Sequence, residues 1–221
     1  MKLQRAVSME FLGTLLLAIS IVGSGHMAAV LTNDTGLQLL INAIATAIGL
    51  ATVIKLGMKV SGAHFNPAVT LVMLALKKTE PKVGAYYIFS QILGAITGVI
   101  IANVIYKQPA VIQSLITRNG SNLFLSEVLS TSVLLWIILR FPNREDLVAI
   151  YAPLWIFGGI LFTSSTSFAN PAITIGRSFT NSITGIAPSS IILFIVAQLI
   201  GAALGLLIAK KITNPGLEKD E

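Results

Sequence analysis

A chain of 221 residues with 54% apolar and 11% charged side chains cannot cover a soluble surface, which takes about 25% charged residues. At roughly 20 apolar residues per crossing, its length allows about six membrane spans and leaves no room for a separate soluble domain. The net charge of +6 lies in short loops and reads as membrane orientation rather than nucleic-acid binding, and the absence of cysteine excludes disulfides, thiolate metal sites and a cysteine nucleophile.

The first apolar run, 6–31, is long for a signal-peptide core and reads as a retained span. A turn at 32–36 leads to a second span over 37–55. A Gly- and Ser-containing loop, 57–66, opens a short apolar helix over 67–76, too short to cross a bilayer. Further spans are predicted over 83–106, 122–139, 147–163 and 188–209. A longer loop, 107–121, links the third and fourth. A second short helix is predicted over 171–180, and 218–221 reads as a solvated tail.

The two short helices begin alike. Ser61-Gly62-Ala63-His64-Phe65-Asn66-Pro67-Ala68-Val69-Thr70 is echoed by Ser167-Phe168-Ala169-Asn170-Pro171-Ala172-Ile173-Thr174. Asn is a preferred N-cap and Pro suits the first helical position. With the N-terminus placed in the cytoplasm, twelve of the 15 Lys and Arg fall inside; Lys107, Arg118 and Arg177 fall outside. That bias fits six spans, both termini cytoplasmic, and both short helices re-entrant from opposite sides.

The order Glu, Asn-Pro-Ala, Gln-x-x-Gly-Ala occurs twice, through Glu10, Asn66 and Gln91, then Glu127, Asn170 and Gln198. Three spans per half make the second half inverted relative to the first. The expected fold is therefore an all-α membrane protein, a single unit of inverted repeats over about 1–108 and 122–211, with a substrate path between the halves.

The paired motifs, the Ser61–His64 run before the first, and the two early glutamates resemble the aquaporins and aquaglyceroporins, the major intrinsic proteins, over nearly the whole chain. The resemblance implies a passive channel for water and small uncharged solutes, assembled as a homotetramer in a cell (inner) membrane, with no cofactor, metal or nucleic acid. Asn66 and Asn170 would each cap a helix and turn an NH2 group to the pore. Two half-helix N-termini there would repel protons and cations. Glu10 and Glu127, costly inside spans, would accept backbone N–H groups of the re-entrant loops. His64 either lines the inner vestibule or bonds to its loop, and His26 reads as surface or packing.

The chain departs from the family where Ile173 replaces the filter arginine that follows the second Asn-Pro-Ala. Arg177 lies one helical turn further along the same face and guards the outer mouth. Spacing places the remaining filter positions at Thr46, Gly158 and Ser167. Because 146–170 is several residues short for the family, Ser164 or a neighbour is the alternative to Gly158. Such a filter is expected to be wide and partly apolar, passing glycerol-like polyols, urea and neutral metalloid acids such as arsenous acid. Residues 166–178 also resemble those of bacterial metalloid-permeable members. The competing readings are a water-selective pore, a transporter coupled through Glu10 or Glu127, and a membrane enzyme, for which no clustered catalytic set is present.

Overall fold

The computed structural model describes residues 2–142 and 144–213, and over them it is built of helices and connecting links. In chain order the α-helices are α1 (Lys2–Leu31), α2 (Thr35–Ser61), α3 (Pro67–Ala75), α4 (Pro81–Ile105), α5 (Ser121–Arg140), α6 (Glu145–Phe162), α7 (Pro171–Gly176) and α8 (Pro188–Ile208). Six of these, all but α3 and α7, are long and apolar enough to cross a membrane. The predicted tail at 218–221 lies outside the described residues.

The outward surface is apolar and the interior is partly polar. Ile48 and Ile192 are 62% and 73% exposed, while Glu10, Gln91, Glu127 and Gln198 are fully buried. A helix bundle with this inverted pattern gains by facing lipid, where apolar side chains cost nothing and polar groups must find partners inside.

Two elements end differently from the sequence-based expectation. α2 runs past residue 55 to Ser61, because Gly57 does not break it. Gly57 instead makes room for the Phe65 ring. The helix stops at Gly62, whose left-handed backbone (φ 87°) returns its N–H to the Met58 carbonyl. The second short helix stops at Gly176 and tightens into a 3-10 turn, Arg177–Phe179. Gly176 abuts the backbone of Ala95 on α4.

The halves are held by matched close crossings. α1 packs on α4 and α5 on α8. At Gly94 and Gly98 a Cβ would fall on the carbonyls of Phe11 and Leu15; at Gly201 and Gly205 it would fall on those of Val128 and Ser132. Small residues let helix backbones approach where the solvent supplies no hydrophobic drive. The loop 106–120, largely exposed on its outer side, is tied to the second re-entrant segment, with Ser114 N–H donating to Ser178 O (2.9 Å) and Ala187 N–H to Ile116 O (2.7 Å). His26 pins it from α1, its Nε2 lying 3.1 Å from Asn103 Oδ1 and its ring stacked on Tyr106.

The crossings predict a contrast between two glycines. Gly23→Ala meets only Tyr106 at 3.8 Å and should gain about 1 kcal/mol of helix propensity. Gly94→Ala should lower the unfolding temperature in detergent, because the Phe11 backbone cannot move aside; equal midpoints for the two variants would refute the packing account.

Candidate functional site

Each Asn-Pro-Ala segment is built as a helix start. Asn66 Oδ1 accepts from Ala68 N (2.9 Å), and Asn170 Oδ1 accepts from Ala172 N (3.0 Å) and Ile173 N (3.3 Å). Pro67 and Pro171 follow at the first helical position, where no N–H is missed.

The two segments also clasp each other. Asn66 Nδ2 donates to the Ala169 carbonyl (2.7 Å), and Asn170 Nδ2 donates to the Phe65 carbonyl (2.8 Å). This differs from the expectation that each NH2 group faces the pore whole. One amide hydrogen per Asn is spent on the opposite loop, leaving one. Neither sequence half alone predicts a bond to the other.

Behind the clasp stand the two carboxylates. Glu10 Oε1 accepts from Ser61 Oγ (2.6 Å) and His64 N (2.9 Å), and its Oε2 from Phe65 N (2.6 Å) and Gln91 Nε2 (2.7 Å). Glu127 repeats this with Ser165 Oγ (2.6 Å), Phe168 N (2.9 Å), Ala169 N (2.9 Å) and Gln198 Nε2 (2.7 Å). Each glutamine continues to the threonine after Asn-Pro-Ala, Thr70 at 3.0 Å and Thr174 at 2.8 Å.

The links 62–66 and 166–169 are backbone-strained in matching places. Ala63 and Phe65 have φ of 52° and 48°; Ser167 and Ala169 have 47° each. Such conformations cost roughly 1–3 kcal/mol apiece and persist only when the surroundings over-determine them. The four donors gathered on each carboxylate supply that determination.

The links and Asn residues line a cavity enclosing about 230 Å3, where one water needs roughly 10–15 Å3. It runs from Lys78, Phe141 and Glu145, past Met58, Met73 and His64, to Asn66 and Asn170, and on to Thr46, Ser167, Ile173 and Arg177. The His64 ring bonds to α3 rather than to its loop. It lines the inner part of this lumen, and its Nδ1 lies 3.1 Å from Thr70 Oγ1.

Gly158 requires correction. It does not line the lumen; a Cβ there would meet the Phe162 ring of its own helix. The lumen side of α6 is Val148, Ala152, Ile156 and Ile160, a stripe at steps of four residues. Gly158 lies two residues from that stripe, about 200° around the helix. Ser164 is not at the lumen either; its hydroxyl pairs with Ser126 at 2.9 Å. Ile160 adds bulk where glycine was expected. The hydroxyls of Thr46 and Ser167 are covered and without a hydrogen-bond partner among the described residues. This level is therefore tighter and more apolar than the sequence suggests.

Arg177 is 6% exposed. Its Nε donates to the Thr184 carbonyl, and its guanidinium lies 3.3 Å from the Phe168 ring centroid. Asn42 was not anticipated. It lines the lumen one turn from Thr46 and donates to Ile21 O (2.7 Å). Gln38, Asn42 and Thr46, all buried at steps of four, form a polar stripe in an apolar span that the sequence does display.

A family profile described as Major intrinsic protein matches residues 1–164. The chain is 38% identical over 214 residues to a Rhizobium meliloti protein named Aquaglyceroporin AqpS, covering 96% of this chain and 92% of that one. It is 40% identical over 100 residues to a Thermotoga maritima protein named Probable glycerol uptake facilitator protein, covering 44% and 42%. The X-ray structure of the aquaglyceroporin from Plasmodium falciparum superposes with a TM-score of 0.77 at 24% identity, covering 98% of this chain and 99% of that one, a likeness of fold.

Two outcomes follow from this geometry. Glu10→Gln or Glu127→Gln turns an acceptor toward donors as an amide, with loss of roughly 1.5–3 kcal/mol for each charge-assisted bond broken. The folded, monodisperse yield should fall sharply; a well-folded variant with altered ion coupling would contradict the structural role. Cysteine placed at Ile173 should make solute flux sensitive to Hg2+, and cysteine placed at Gly158 should not, since the native chain offers no thiol. Block at position 158 alone would restore the original assignment.

Proposed function

Because the chain belongs to the major intrinsic protein family, we propose that it is a passive channel for water and small uncharged solutes that excludes protons and ions. The solutes are glycerol-like polyols, urea and neutral metalloid acids such as arsenous acid. The observation that carries the reading is a continuous lumen holding both Asn66 and Asn170. Beyond them the ring of Thr46, Ile160, Ser167 and Ile173 is free of charge.

A molecule passing the clasp meets the N-termini of α3 and α7 and one remaining amide hydrogen from each Asn. Held at its oxygen by two donors, a water cannot readily accept a proton from its neighbour, and the positive helix ends oppose cations. At the ring, the isoleucines match the carbon or metalloid flank of a polyol or metalloid acid, while the hydroxyls of Thr46 and Ser167 are covered by protein. The names of the Rhizobium and Thermotoga relatives agree with a polyol-passing pore. A chain without cysteine also has no thiol to capture a trivalent metalloid in transit.

In this reading Asn66, Pro67, Ala68, Asn170, Pro171 and Ala172 form the solute-orienting centre, with Glu10 and Glu127 as its scaffold, supported by the bonds that join them. The family and the charge bias support a homotetramer in a cell membrane, with both termini cytoplasmic and one pore per subunit. A second reading, a pore for water alone, is favoured by the covered hydroxyls and by Ile160.

Stopped-flow light scattering on proteoliposomes separates the two. Glycerol and arsenous acid should enter passively along with water, with weak temperature dependence. Ile173→Arg should cut glycerol and arsenous acid flux about tenfold or more, in the range of one or two pocket groups. Ile173→Phe is the uncharged companion, since Arg177 stands one turn away. Fast water with no glycerol or arsenous acid flux would establish the water-only pore.

A further inference from the structure

We propose that Arg177 is the charge filter of this pore, set one helical turn outward of an uncharged size filter, so that the two selections occur at different levels. The proposal rests on the channel reading above and deepens it. In this chain the position after the second Asn-Pro-Ala holds Ile173, and the ring around it carries no charge. Arg177 follows four residues later, roughly 6 Å along the axis, and lines the same lumen.

Several contacts fix the side chain there. Its Nε donates to the Thr184 carbonyl, and its guanidinium lies 3.3 Å from the centroid of the Phe168 ring. That ring is itself held against Phe194 at 5.1 Å. The segment 183–185 turns three successive carbonyls to two cations. Arg118 takes Ile183 O (3.0 Å) and Gly185 O (2.8 Å), and Arg177 takes the one between. Arg118 also lies 5.0 Å from the Phe168 ring. Phe168, Thr184 and Arg118 are thus positioning residues.

No carboxylate is bonded to this guanidinium; among the described residues the ion pair is Arg144 with Asp146, far from this mouth. Glu127, the carboxylate within electrostatic reach, is shared with the second cation Arg118 and turns its oxygens to four neutral donors. The terminal amino groups of Arg177 have no protein partner among the described residues and are left for the lumen. A guanidinium carries five donors in a fixed fork, and here only one is used within the protein. A cation approaching in a low-dielectric channel meets a like charge; a neutral solute meets free donors.

Urea and guanidinium test this, because they are planar and nearly equal in size but differ in charge. Wild-type proteoliposomes should pass urea and exclude guanidinium. Arg177→Met should raise guanidinium flux about tenfold or more while urea flux changes less than about threefold. Arg177→Gln, which can still donate to the Thr184 carbonyl, gives the same neutral test if the Met variant fails to insert. Arg177→Lys should keep guanidinium out. Neutral variants that pass urea yet exclude guanidinium as wild type does would overturn the proposal, as would a lysine variant that leaks. If wild type excludes urea, the solute range proposed above falls instead. Alkali-cation current under a clamped potential then reads Arg177 alone, a rise in the neutral variants supporting it and no rise overturning it.

Discussion

Two buried carboxylates decide the shape of this molecule. Glu10 and Glu127 are each surrounded by four donors, two of them backbone N–H groups of a re-entrant link. Non-helical backbone at membrane depth is tolerated only when its polar groups are satisfied. The carboxylates satisfy them and, by drawing successive N–H groups inward, hold Ala63, Phe65, Ser167 and Ala169 in left-handed conformations. Without these anchors neither link could deliver its Asn to the centre, and the clasp between Asn66 and Asn170 would have nothing to fix it.

The clasp converts two half-helices into one site. Each asparagine uses its oxygen on its own helix and one hydrogen on the other link, so neither can rotate without breaking both. Orientation of the remaining hydrogen is then a property of the whole bundle. That is preorganisation in the ordinary sense: donors held before the solute arrives cost no ordering when it does. The glycine crossings serve the same end, since α1 against α4 and α5 against α8 set how far the glutamates stand from the links.

The lumen outside the clasp is divided by chemistry. Its inner end is mixed, with Lys78, Glu145, Met58 and Met73; its middle is amide; its next level is mainly branched aliphatic; its outer end holds a guanidinium. With Ile173 after the second Asn-Pro-Ala, the lumen still holds a cation, Arg177, one helical turn further along the chain.

Much of this was written in the residue order. The spans follow from long apolar runs, the half-helices from Asn-Pro caps on runs too short to cross, and the inversion from three spans between equivalent motifs. The structural carboxylates were legible because Glu10 and Glu127 recur at matching places in otherwise apolar helices. What the order of residues could not decide was any relation that passes between distant segments. That Asn66 bonds to Ala169, that Ile160 and not Gly158 faces the lumen, and that Arg177 reaches the lumen against Phe168 depend on how α6 and α7 are rotated and how 163–187 is folded over. Periodicity specifies which residues share a helix face, but only the packing of that helix against its neighbours, and the strain its link accepts, specifies which face looks into the lumen.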